Sequence, residues 1–241
     1  MKRVLHALLL SLMMLAAVPG ASAATTDLTL TFENLPNGPL YNGEAWDLGH
    51  DIYFEAFSNS PVAQPGDYVA EVVDSNWAFE QCGQLQCTAN GSSYVAVVND
   101  AALYFSTFSG NSFSVRSFSA SFLGAYADAY NPIVGAVRLM GVHADGSSVL
   151  QTYTFGAPGA DGYAFSDLST SAAFAADQFT ELYVFGLACN SAGSCSGFNS
   201  DRAQFALDNL TLVTTAVPEP STWLMLGSGM LLLVASRRRR A

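Results

Sequence analysis

Aromatic side chains set among acids, amides and arginines can grip a sugar. Their ring faces stack on the apolar faces of pyranoses, while Asn, Asp and Arg hydrogen-bond the hydroxyls. Trp46 in GEAWD, Trp77 in DSNWAFE, and Tyr126 and Tyr130 in GAYADAYNP stand in such company, with core or loop packing as the competing account. Asp27, Asp51, Asp100, Asp128 and Asp208 fall at the ends of apolar runs, where carboxylates can hold calcium. No Asp-rich loop with regular ligand spacing accompanies them. Catalytic patterns are thinner still. His50, next to Asp51 in LGHD, and His143 each stand alone, and no G-x-S-x-G, H-E-x-x-H or phosphate-binding glycine loop is present. Acid pairs for glycoside hydrolysis are plentiful, but no spacing singles one out. The expectation is a non-enzymatic binding protein. A secreted glycan-active enzyme and a self-associating structural protein without a glycan ligand are the alternatives.

Four cysteines form two local pairs, Cys82 with Cys87 in EQCGQLQCTANG and Cys189 with Cys195 in ACNSAGSCSG. In an oxidising compartment each pair closes a short-loop disulfide. A four-cysteine zinc site is the alternative, but the four and five residues between the cysteines lie at and beyond the upper end of zinc-site spacing, and no histidine lies near.

The elements that must position these groups are strands. Short β-branched and aromatic runs recur between clusters of Gly, Asn, Asp, Ser and Pro. They cover residues 27–33, 51–57, 68–73, 94–98, 101–105, 112–123, 136–143, 148–155, 180–187 and 204–213. The turn Ala144 to Ser147 carries an Asp-Gly pair that marks a tight hairpin. Ten or so strands at this spacing predict an all-β fold, a single jelly-roll-like β-sandwich, with a barrel as the alternative. Residues 156–178 fit either a short helix or a long loop. In the last run Phe205 and Leu207 share one face, whereas Leu210 and Leu212 share the other. A β-bulge at Asp208-Asn209 would restore one buried face; a strand buried on both faces is the other solution.

Both chain ends are set apart by composition. Lys2 and Arg3, the apolar run Val4 to Val18 and Ala21-Ser22-Ala23 make a secretory signal peptide over residues 1–23, to be removed by signal peptidase, rather than an uncleaved anchor. At the other end Val217, Pro218, Glu219 and Pro220 lead into an apolar stretch that stops against Arg237, Arg238, Arg239 and Arg240. The prolines keep the chain extended, and the arginines stay on the cytoplasmic side of a bilayer. The apolar stretch is short for a span, which suits a transient anchor. Residues 24–216 then form one exported domain. It holds three arginines, no lysine and nineteen acids, a net −16 where the whole chain carries −11. Such a surface repels nucleic acid and anionic lipid.

The tail resembles the PEP-CTERM sorting signal of Gram-negative bacteria, which the membrane enzyme exosortase reads. Gln204, Phe205 and Asp208 match the QFxxD signature found just upstream of that tail in one group of such proteins. The resemblance implies export through the general secretion machinery, transient membrane anchoring, cleavage near Pro218 to Pro220, and delivery to the cell surface or extracellular matrix. By analogy it also implies a tie to exopolysaccharide and biofilm.

Overall fold

The structure is a computed structural model that describes residues 25–74, 76, 88–124, 133–159, 162–198 and 202–215. Trp77, Cys82, Cys87, Tyr126, Asp128 and Tyr130 lie outside the described residues, as do the leader and the tail from residue 216 onward. Residues 26–214 form one compact unit.

Fourteen strands and one short helix are described. They are β1 (Thr25–Leu30), β2 (Gly38–Tyr41), β3 (Glu44–Gly49), β4 (Ile52–Ser58), β5 (Tyr68–Asp74), β6 (Ser93–Val97), β7 (Ala101–Thr107), β8 (Phe113–Leu123), β9 (Ile133–Val142), β10 (Ser148–Gly156), β11 (Ser166–Ser169), α1 (Ala172–Ala176), β12 (Glu181–Cys189), β13 (Cys195–Ser196) and β14 (Gln204–Thr215). One sheet runs β11-β8-β14-β6-β5-β2, with β1 also on β14. The second runs β10-β9-β12-β7-β4-β3, with β13 also on β12. Among the described residues neither sheet closes on itself, so the fold is the expected sandwich rather than a barrel. The stretch 156–178 supplies both β11 and α1, the helix being started by Ser171, whose hydroxyl accepts from the Phe174 N–H.

Between the sheets lies a core built by strand alternation. Ile52, Phe54 and Ala56 of β4, Leu103 and Phe105 of β7, and Leu182 and Val184 of β12 all point inward and are buried. Phe54 stacks on Phe105 at 5.8 Å and meets Phe32 edge-on at 5.7 Å.

The face switch in β14 resolves as the sequence pattern suggests. The register of β14 on β8 slips between Asp208 and Thr211, and Asn209 takes φ 51°. With that extra residue Phe205, Leu207, Leu210 and Leu212 all reach the same core, each without solvent exposure.

The two outer faces differ. On the first sheet Val73, Tyr94, Ala96, Leu123 and Ala206 make a second buried apolar cluster capped by Phe165. On the second sheet the outer side chains of β4 and β12, with Tyr104 of β7, remain partly open to solvent, whereas Ala102 and Ser106 of β7 are buried.

Candidate functional site

Alternation and register together assemble an aromatic surface on the outer face of the second sheet. Tyr53, Glu55 and Phe57 alternate with the core residues of β4. Tyr104 does so in β7, and Glu181, Tyr183 and Phe185 do so in β12. Glu55 stands opposite Tyr104, Tyr104 opposite Tyr183, Tyr183 opposite Met140, and Met140 opposite Leu150, one row across five strands. Tyr53 and Phe57 sit in the rows on either side.

The rings touch in an unbroken run. Centroids are 4.9 Å apart from Phe108 to Tyr53, 6.0 Å from Tyr53 to Tyr104, 5.0 Å from Tyr104 to Tyr183 and 6.0 Å from Tyr183 to Phe57. Phe108, at the open end, is 61% exposed. Phe185 extends the surface through Phe198 at 5.2 Å. Phe198 holds a positive φ of 61°, a costly backbone for a bulky side chain. It follows directly on β13, which the Cys189–Cys195 disulfide ties to β12. That bond is the second of the two expected pairs.

Carboxylates border the rings. The Tyr183 hydroxyl donates to Glu181 Oε2 at 3.0 Å. Burial, with Glu181 adding to it, pushes the Tyr183 pKa up to about 12, and burial likewise raises that of Tyr104. Both phenols therefore stay protonated donors at neutral pH. Asp47 and Glu55 add acceptors, and Arg138, whose Nε donates to Thr152 Oγ1 at 2.9 Å, adds a cation. Ring faces bordered by donors and acceptors can hold an uncharged polyhydroxyl chain, while the acids turn polyanions away.

The sequence-predicted residues that are described fall elsewhere. Trp46 lies in β3 rather than a loop, opposite Phe54 on the inward side, half-buried against the core, with no hydrogen bond to its buried Nε1. His50 and Asp51 form a turn with φ 55° and 70°, in which Asp51 accepts from the Ser109 N–H and hydroxyl. Asp27 pairs with Arg116 and Asp100 accepts from the Ala203 N–H. Among the described residues no group of three or more His, Cys, Asp or Glu side chains could hold a metal ion.

His143 comes closest to catalytic geometry. Its Nδ1 is 2.8 Å from Ser147 Oγ and its Nε2 2.9 Å from Asp177 Oδ1. However, the Ser147 hydroxyl is engaged by Asp145 Oδ1 at 2.6 Å, so its one proton is shared with a carboxylate instead of being held for the histidine. The cluster clasps the β9–β10 hairpin to the end of α1 instead.

Of the QFxxD positions, Gln204 stands opposite Leu123 and Phe205 fills the core. Asp208, fully buried, accepts at Oδ2 from Asn90 Nδ2 (2.7 Å), Ser92 Oγ (2.6 Å) and Asn209 Nδ2 (3.0 Å), and at Oδ1 from the Asn209 N–H (2.7 Å). It thereby secures the bulge and the 90–92 turn together.

The described molecule is thus a β-sandwich with one apolar, covered outer face and one open, aromatic and acidic one. Residues 216–240 match the model of the PEP-CTERM protein-sorting motif. The chain thus carries a PEP-CTERM protein-sorting motif at residues 216–240. Among the described residues no helix is long and apolar enough to cross a membrane. No curated protein matches the chain.

Among solved structures it is similar to the C-terminal family 22 carbohydrate-binding module of Clostridium thermocellum Xyn10B. Identity there is 14% and the TM-score 0.34, with 78% of this chain and 92% of that one covered. A family 22 xylan-binding domain shows 16% identity and a TM-score of 0.33 over 83% and 99% of the two chains. The tandem family 22 modules of Paenibacillus barcinonensis Xyn10C show 12% and 0.36 over 83% and 52%. Scores this low transfer no ligand.

Proposed function

We propose that this is a non-enzymatic surface or extracellular-matrix protein that binds uncharged polysaccharide along the outer face of its second sheet. The observation that carries this reading is the unbroken run of rings from Phe108 through Tyr53, Tyr104 and Tyr183 to Phe57. A sheet face left open to water gains nothing in solubility from five touching aromatic rings. A sugar chain repays them, because each pyranose presents an apolar face of about one ring's width. The −16 charge of residues 24–216 and the bordering Asp47, Glu55 and Glu181 favour neutral over uronate-rich polymers.

The sorting motif supports the setting, a protein exported through the general secretion machinery and trimmed by signal peptidase. Held briefly by its apolar tail, it is cut by exosortase near Pro218 to Pro220 and delivered to an exopolysaccharide matrix. Protein recovered from its host after export will be retarded in gels containing neutral glucan or xylan and will pass freely through polyuronate gels. It will release no new reducing ends. Retention on polyuronate alone, or the appearance of reducing ends, would overturn the reading. The route has its own test. Mass spectrometry will find a mature C-terminus near residues 217–220 in the wild-type host. A host lacking exosortase will retain the tail, and an identical C-terminus in both hosts would refute exosortase cleavage.

A further inference from the structure

Among the described residues, the strands that end the two sheet paths, β2, β11, β3 and β10, are not equally protected. An edge strand offers a row of unpaired N–H and C=O groups to any other strand, and natural edges blunt this by shortness, charge, proline or bulges. β2 has four residues, includes Pro39 and slips register between Leu40 and Tyr41. β11 has four residues and carries Asp167. β3 carries Glu44 and Asp47 and slips between Asp47 and Gly49. β10 lacks the charge, the proline and the shortness, and its one register slip falls at its last pair, between Phe155 and Gly156. It runs nine residues, SVLQTYTFG, without a charge or a proline, in unbroken register on β9 from Ser148 to Phe155. No described backbone group outside β9 hydrogen-bonds to the backbone of residues 148–155; Ser171 N–H and Ser169 C=O reach only the Gln151 and Tyr153 side chains. Its composition is that of segments that pair readily with their own kind.

We infer that β10 is the self-association edge of this protein, pairing antiparallel with β10 of a second copy. The occupant follows from the strand itself. A two-fold axis perpendicular to the sheet near Thr152 sets Leu150 opposite Thr154 at each end and Thr152 opposite Thr152, with no like charges facing. Leu150, Thr152 and Thr154 are the exposed, outward side chains of the strand, so nothing in the core has to move. Leu150 also closes the row that holds Tyr104 and Tyr183. Because the axis keeps both outer faces on one side, the pair of sheets presents two aromatic runs as one surface. The large negative charge of each copy opposes the union and salt screens it. The inference stands on the edge alone, independently of polysaccharide binding.

Sedimentation velocity of the exported protein will show a monomer–dimer equilibrium whose dimer fraction rises with protein concentration and with NaCl. Thr152→Val will keep it. The double variant L150E/T154E, which sets carboxylates opposite each other at both ends of the strand, will weaken it by about tenfold or more. In the unmodified protein, hydrogen exchange of the β10 amides will slow as concentration rises, a readout that needs no variant to fold. A monomer under all conditions, or a dimer indifferent to L150E/T154E, overturns the inference. So does concentration-independent protection of the β10 amides that face away from β9, since that would place a segment of the same chain on the edge.

Discussion

Asp208→Asn will destabilise the protein by about 3 kcal/mol in equilibrium unfolding, the scale expected when hydrogen bonds to a buried charge are lost and donors are left unsatisfied. Four donors converge on this carboxylate from Asn90, Ser92 and Asn209. An amide placed there turns its NH2 toward at least one of them in either orientation, and its carbonyl binds the others without the charge. The bulge at Asn209 and the 90–92 turn loosen together, and Leu210 and Leu212 lose the backbone path that turns them inward. The effect depends on pH. Burial raises the Asp208 pKa above the ordinary carboxylate range, and the nearby Glu33 charge adds to the rise, while the bonds from Ser92, Asn209 and Asn90 oppose it. With the folded pKa above the unfolded one, the group's stabilising contribution is fully present below the ordinary carboxylate pKa of about 4 and is lost as pH climbs through the raised value. The stability gap between wild type and Asp208→Asn will therefore widen on acidification from neutral. A gap that narrows would mean that the four donors outweigh burial and hold the carboxylate ionised.

Gly186→Ala will cost a further few kcal/mol, roughly 3 or more, because its Cβ has nowhere to go. Built on the β12 backbone, that carbon would lie 2.0 Å from the Ala203 carbonyl oxygen, 2.8 Å from the Ala203 carbonyl carbon and 3.1 Å from Phe205 Cδ1. Two of these atoms are main chain, so the collision is relieved only by moving the start of β14 away from β12. Those strands belong to different sheets, and the shift opens the core around Phe205. Chemical denaturation will show a lowered midpoint. An unchanged midpoint would mean that the sheets do not approach each other here.

The strands were legible because apolar and polar residues alternate in them or because they form long apolar runs, and the β14 bulge because the alternation changes phase at Asp208-Asn209. Short β2, β11 and β13 leave too few residues for a period to show. Trp46 reads as a loop residue in GEAWD, yet pairing with β4 makes it a strand residue, and its parity then turns it inward. What holds Asp208 was invisible, since Asn90 and Ser92 are 118 and 116 residues away along the chain. The aromatic face was hidden for the same reason. Tyr53, Tyr104 and Tyr183 each sit alone in a separate strand, and only the β4–β7–β12 order and register bring them side by side. One signal was present: DIYFEAF and TELYVFGL carry apolar or aromatic residues at both parities, more than a strand with one wet face requires.

Polysaccharide binding on that face stands or falls on the central rings. The decisive comparison is electrophoretic retardation by neutral glucan or xylan for wild type and the double variant Tyr104→Ala/Tyr183→Ala, both recovered after export and both shown to unfold cooperatively. The wild type will be retarded, and the variant, having lost the middle of the ring run, will bind at least about tenfold more weakly. Equal retardation of the two would contradict the assignment of the face.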